Sequence, residues 1–249
     1  MKITYIHHSS FSVEFNHVTM LFDYYEGPLP DFDRSRPLVV FASHFHGDHF
    51  APVIFDLAEG REDIQYVLSK DINKKKVPEH LLDKVMFVKA GEKYTLHPGK
   101  NEKTEENGNA EPDGVTMEIE TFKSTDEGVA FWISCEGKEI YHAGDLNNWW
   151  WEGEDKAWNH NMAANYAKEM DKMAGRTADA AFIPLDPRLE QWFYLGMKEF
   201  MEKADAKAVI PMHFWKDYSI IEKMRQHPSS EGWRERLIEI HREGEELDI

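Results

Sequence analysis

Apolar and polar positions alternate through the first part of the chain. KITYIH (2–7) and FSVEF (11–15) have period two, and Asn16-His17 separates the latter from VTMLFD (18–23), which predicts strands joined by a hairpin. PLVVFAS (37–43) is a continuous apolar run, the pattern of a strand buried on both faces. PVIFDLA (52–58) opens with proline and predicts a short helix. IQYVLS (64–69) and KVMFVKA (84–90) predict strands, with a weak helix at 78–82 between them, and KYTLH (93–97) predicts another.

Residues 98–114 break the pattern. This stretch is polar, rich in Gly, Asn and Glu, and is expected to be an exposed insertion loop rather than a linker. Strands are expected at 115–122, 128–134 and 138–142. At 155–174 the period becomes helical: Trp158, Met162, Tyr166, Met170 and Met173 recur every three or four residues, a stripe whose ordinary use is core packing. ADAAFIPL (178–185) and AKAVIPM (206–212) predict buried strands. A second helix is expected through Leu189, Trp192, Phe193, Gly196 and Phe200, a third over 217–226, and a closing hairpin in RLIEIHREGEELDI (236–249). Strands followed by mixed helices and strands fit two sheets flanked by helices, taken as one α/β domain over 1–249.

Composition narrows the partners. The 249 residues are 41% hydrophobic and 13% aromatic, enough for a sizeable core. With 46 acidic against 29 basic residues the net charge is -17, which repels phosphate backbones and makes nucleic acid a poor default partner. The opening residues lack an apolar signal-type segment, no 18-residue apolar run occurs, and there is one cysteine, Cys135. The expectation is a cytoplasmic protein with no membrane contact, no internal disulfide and no thiolate zinc cluster.

The chemistry concentrates in FASHFHGDHF (41–50). His44, His46, Asp48 and His49 crowd six positions directly after the buried run, an arrangement that needs a partner for its polar groups. Two later residues stand in the same kind of place, Asp145 after KEIYHAG and His213 after KAVIPM. Loops at strand ends let a rigid sheet aim side chains at one point. His44 and His46, two apart, point to one side of an extended backbone, while Asp48 and His49 reach a neighbouring point that Asp145 could bridge to the first. Imidazole and carboxylate suit one or two divalent ions, with Zn, Mn, Fe, Co and Ni all compatible.

These residues resemble the metallo-β-lactamase superfamily. SHFHGDHF resembles its H-x-H-x-D-H signature, YHAGD its later Gly-Asp motif, VIPMHF its last histidine, and HHSSFSVEF…LFD the first hairpin of the branch that contains sugar-phosphate lactonases. The resemblance spans nearly the whole chain and implies a four-layer αββα sandwich with metals at one edge. It implies a metal-dependent hydrolase in which a metal-bound hydroxide attacks a lactone, ester or related bond of a small, perhaps anionic or phosphorylated, metabolite. Asp48 would both ligate and orient the hydroxide. His46 stands where the di-iron oxidoreductase branch resembles H-x-E-x-D-H, which favours hydrolysis. A phosphodiesterase or nuclease of the same superfamily, and a degenerate non-catalytic metal-binding protein, are the alternatives.

The family usually supplies another histidine before the Gly-Asp motif. Here that place reads ETFKSTDEGVAF, with Ser124 at the aligned position and Asp126 nearby as a carboxylate substitute. Other residues carry two readings each. His142 is a general acid or a hydrogen-bonded strand-end histidine, and His8 contacts substrate or supports the ligands. Trp149, Trp150 and Trp151 form a substrate wall or a homo-oligomer contact. Asp186 and Arg188 follow a strand; Arg188 holds an anionic substrate group or makes a surface ion pair.

Overall fold

A computed structural model describes residues 1–99, 114–247 and 249. The segment expected as an insertion loop lies almost wholly outside the described residues. Strands run in chain order as β1 (Lys2–His7), β2 (Ser10–Glu14), β3 (Thr19–Phe22), β4 (Leu38–Ala42), β5 (Ile64–Ser69), β6 (Val85–Val88), β7 (Lys93–Leu96), β8 (Met117–Lys123), β9 (Val129–Cys135), β10 (Lys138–His142), β11 (Thr177–Pro184), β12 (Asp205–Met212) and β13 (Glu245–Leu247). The α-helices are α1 (Lys156–Lys172), α2 (Leu195–Lys203) and α3 (Ser219–Gln226).

The strands form two sheets, ordered β13-β1-β2-β3-β4-β5-β6 and β12-β11-β10-β9-β8-β7. The apolar run of β4 shows how they pack. Val39 and Phe41 enter the core between the sheets with Phe11, Phe131 and Phe182, while Leu38, Val40 and Ala42 join a second cluster on the outer face with Ile54, Phe55 and Leu81. Both faces are covered, so alternation is lost in the sequence. Tyr166 and Met170 of α1, Met197 and Phe200 of α2 and Met224 of α3 continue the core of the second sheet. This is the layered sandwich of the metallo-β-lactamase fold.

The helical cover of the first sheet is made of 3-10 turns, Pro52–Ala58 and Glu79–Lys84, rather than α-helix. Six or seven residues started at a proline repay little of the cost of nucleating an α-helix. The second expected helix likewise divides into a 3-10 segment, Pro187–Trp192, itself kinked at Glu190 with φ 52°, and α2. The closing hairpin does not form. Ile238 N–H donates to Val209 O at the edge of β12, and β13 pairs antiparallel with β1. Two unfilled sheet edges supply better partners for this segment than its own halves do.

β3 to β6 run parallel, as do β10 to β12. Their C-terminal ends, together with the turns after β1 and β8, bring the chemistry-bearing loops to one rim.

Candidate metal centre

Two groups of side chains form at this rim. His8, Asp48, His49 and His213 make one, and His44, His46, Asp126 and Asp145 the other; within each group the ligand atoms lie within 4.8 Å of one another. Asp145 joins them. Its Oδ1 is 3.1 Å from His49 Nε2 and 3.4 Å from His213 Nε2, and its Oδ2 is 3.5 Å from His44 Nε2. Asp48 Oδ2 stands 3.4 Å from His8 Nε2 and 3.9 Å from both His49 Nε2 and His213 Nε2.

The local chain explains this placement. Gly144 adopts φ +50°, and a Cβ there would stand 2.7 Å from Ser43 Cβ, so only glycine lets the Asp145 loop close on the His44 loop. His8 follows a register shift between β1 and β2 and has φ 51°. His213, Trp215 and Lys216 also have positive φ, an uncommon cost for bulky residues and one concentrated at functional loops.

A second row of polar groups fixes the imidazoles. Ser43 Oγ donates to Asp23 Oδ2 at 2.7 Å, so at 2.9 Å it accepts from His44 Nδ1–H. His49 Nδ1–H donates to Asp23 Oδ2 at 2.7 Å, and His213 Nδ1–H to Asp186 Oδ2 at 2.9 Å. Each tautomer leaves Nε2 facing the shared space, as metal-ligating histidines require. His8 Nε2, His49 Nε2 and Asp145 Oδ1 are buried without a hydrogen-bond partner, costly for a protein that places nothing between them. The donor set therefore fits one or two divalent ions.

Electrostatics agree with this for His8, His44, Asp48 and Asp145, whereas His49 would have to release a proton to take an ion. Burial brings the pKa of His8 and of His44 down to about 4, leaving both neutral at pH 7, with His44 Nε2 accepting from His46 Nδ1–H at 3.1 Å. Burial works against the charged form of His49, but Asp145 and Asp23 outweigh it and hold its pKa well above the usual histidine value. Burial also opposes ionisation of Asp145, yet His49, His213 and His44 keep its carboxyl well below the carboxylate range. Asp48 is lowered in the same way against burial, by His8 and His49. Asp126 is raised by burial and by the charge of Asp145. The cluster is thus a concentration of negative charge that gains from a cation.

Several sequence expectations change. His8 stands in the first group of metal-type side chains, closer to the reading that it supports the ligands. Ser124 is not in either group; its Oγ accepts from Asp126 N–H at 3.1 Å, while Asp126 Oδ2 lies 3.3 Å from His46 Nδ1. His142 is fully buried and stacked on Phe22, with Nε2–H donating to Ser9 O and Nδ1 accepting from Gly144 N–H. With both nitrogens committed and no exposed surface, its proton is held by Ser9 O inside the protein and away from the cavity. The sequence reading passed over Asp23, although Asp23 follows an apolar strand just as Asp145 and Asp186 do.

A cavity of about 420 Å³ opens over the centre. Trp149 and Trp151 stack with rings 6.1 Å apart, while Trp150 turns away to meet Trp192. The exposed end of the α1 stripe, Trp158 and Met162, lines the cavity, whereas Tyr166, Met170 and Met173 are core as expected. Trp215, which the sequence reading did not single out, forms the opposite wall.

A two-sheet sandwich carrying an aspartate-bridged cluster of histidines at one rim defines a class of metal-centred proteins. Comparison with known proteins agrees. The Beta-lactamase superfamily domain matches residues 2–160, and the chain belongs to that family. It is 26% identical over 239 residues to the UPF0173 metal-dependent hydrolase of Alkaliphilus metalliredigens (strain QYMF), covering 86% of this chain and 85% of that protein. Among solved structures it is similar in fold to Igni18, a metallo hydrolase of the archaeon Ignicoccus hospitalis KIN4/I, with 17% identity, a TM-score of 0.58 and 98% and 96% of the two chains covered. A metal-dependent hydrolase from Parabacteroides distasonis ATCC 8503 gives 16% identity, a TM-score of 0.57 and coverages of 95% and 92%.

Proposed function

We propose that this protein is a metal-dependent hydrolase acting on a small ester or lactone, with residues 1–249 as one domain working in the cytoplasm. The observation that carries the reading is Asp145, which turns one carboxylate oxygen toward each group of ligands. His8, Asp48, His49 and His213 would hold one ion, His44, His46 and Asp126 the other, and Asp145 both. A divalent ion there would supply hydroxide at neutral pH by lowering the pKa of water to about 7, and would polarise the substrate carbonyl.

The chain's own residues supply positioning. Asp48 is 28% exposed at its side chain and faces the cavity. Ionised at neutral pH, it accepts a hydrogen bond from the attacking water and aims the water oxygen at the acyl carbon. Water adds across the acyl C–O bond, its oxygen to carbon and one proton to the leaving alcohol. Asp23 and Asp186 keep His49 and His213 in the tautomer that directs Nε2 inward. Trp149, whose Nε1–H donates to Asp145 O at 2.9 Å, covers the centre from solvent. The reading draws support from the family membership, the buried unpartnered ligand atoms and the single cysteine.

The test is turnover of ester, lactone and bis-phosphodiester substrates by chelated protein and by protein reloaded with zinc or manganese. Ester or lactone cleavage that returns only on reloading is expected. Metal bound without cleavage of any of these bonds would point to a non-catalytic binding protein, and faster phosphodiester cleavage to the nuclease-type alternative.

A further inference from the structure

The distal wall of the cavity says what kind of substrate the hydrolase reading, on which this inference rests, should be paired with. Three separate segments supply it: Trp151 from the loop after Asp145, Trp158 and Met162 from the first turns of α1, and Trp215 from the strained loop after His213. Trp158 and Trp215 are 38% and 45% exposed, a large apolar area left uncovered at a cavity mouth. Arg188 is the only lysine or arginine lining this cavity among the described residues, and its charge is already matched. Its Nε donates to both oxygens of Asp186 at 2.9 and 3.0 Å and its Nη2 to Oδ2 at 2.5 Å, with Asp186 completely buried. The guanidinium also stands 4.7 Å from the Trp215 ring centroid and 5.6 Å from that of Trp151. A cation held to a buried carboxylate and set over two indoles braces those walls; although its side chain is 47% exposed, its charge is already balanced by Asp186.

We infer that the substrate is an uncharged ester or lactone whose non-reacting part is an apolar aromatic group seated against the exposed rings of Trp158 and Trp215, with Arg188 a positioning residue that braces Trp151 and Trp215. A phosphate or carboxylate at that end of the substrate would meet indole faces and, as its one Lys or Arg partner among the described residues, a guanidinium whose charge Asp186 already balances, a poor return for lost hydration. An aryl group would exchange water for aromatic contact at no such cost.

The experiment uses the full chain reloaded with zinc and three lactones that share a primary alkoxide leaving group: 4-phenyl-δ-valerolactone, its ring-carboxylated derivative and δ-valerolactone. The phenyl lactone is expected to exceed the other two in kcat/KM by about tenfold or more, a difference in the range that apolar pocket contacts supply. Trp215→Ala and Arg188→Ala should shrink the ratio of the phenyl lactone to δ-valerolactone toward one, chiefly through KM. A preference for the carboxylated or the aliphatic lactone overturns the inference. In parallel, 2-tetralone, an uncharged arene that cannot be hydrolysed, is titrated with tryptophan fluorescence as the readout. Quenching that weakens in Trp215→Ala without cleavage of any lactone leaves the aromatic seat standing while the hydrolase reading fails. Absence of tetralone binding to the wild-type protein removes the seat whatever the turnover.

Discussion

Asp23 accepts the Nδ1 proton of His49 at 2.7 Å, and neither residue has any exposed surface. The same carboxylate takes the Ser43 hydroxyl and, through its other oxygen, the Ser43 amide, both at 2.7 Å. One buried group thus sets the tautomer of His49 directly and of His44 through Ser43.

Asp23→Asn should therefore weaken metal binding without removing a ligand. Loss of a carboxylate behind a ligating histidine lowers affinity by about 10- to 100-fold. Competition of the folded variant against a metal-chelating dye measures it, and an affinity equal to wild type would make the Asp23 network purely structural.

The two ligand groups should differ in strength. Histidines and a lowered carboxylate dominate the His8 side, whereas Asp126 on the other side has a pKa raised by burial and by Asp145. Mild chelation is expected to remove one equivalent first. Asp126→Ala should lose that equivalent outright, and Asp126→His should retain it more tightly; Ser124→Ala should leave stoichiometry unchanged. Elemental analysis after dialysis reads all three, and equal loss of both equivalents from Asp126→Ala would show that the ions are not held separately.

Gly128 has φ +70°, and a Cβ there would stand 2.0 Å from the Ser43 carbonyl oxygen. That oxygen already accepts from Val129 N–H at 3.0 Å, so the backbone cannot retreat freely. Gly128→Ala should cost about 3 kcal/mol or more, a drop of roughly 6–12 °C in Tm for a chain of this size. Gly153→Ala, where nothing lies within 4 Å of the added carbon, is the control and should melt near wild type.

A pH signature should appear far from the metal centre. Asp179 accepts from Lys207 Nζ at 2.8 Å, Glu139 N–H at 2.9 Å and Lys138 Nζ at 3.3 Å. Burial opposes its ionisation, but these partners outweigh burial and lower its pKa. A depressed folded-state pKa gives stability that is present above the unfolded value of about 3.9 and disappears as pH falls through the folded value. Asp179→Asn should be less stable than wild type by about 1–3 kcal/mol at pH 7, with the gap narrowing below pH 4. A gap that stays constant from pH 7 to pH 3 would remove the charged-acceptor account.

The candidate ligands were readable where chemistry was local in the chain. His44, His46, Asp48 and His49 crowd one loop, and Asp145 and His213 each end an apolar run, so position and type agreed. The place of His8 in the first candidate group was not readable, because its aim depends on a register shift and a positive φ that follow from pairing of β1 with β2. Ser124 drew attention by alignment, yet the turn spends its hydroxyl on Asp126 N–H and presents Asp126 instead. Arg188 was read either as an anion holder or as half of an ion pair, and the structure gives the ion pair, with Asp186 two residues away. The stripe of α1 gave the helix and its core half, but periodicity could not show that the core ends before Trp158.

The segment that failed to make a hairpin has its own consequence. Ile238 N–H bonds the outer strand of one sheet and β13 lies along β1 in the other, so eleven residues, 237–247, cover an edge of each sheet on the same flank. Uncovered β-edges are templates for pairing with further copies. β13 is three residues long and carries Glu245 and Glu246, so the edge it presents outward is short and acidic, poor for templating. Lifting this one segment would bare β1 and β12 together, which makes it the place where a modest local weakening would be felt first as aggregation rather than as loss of chemistry.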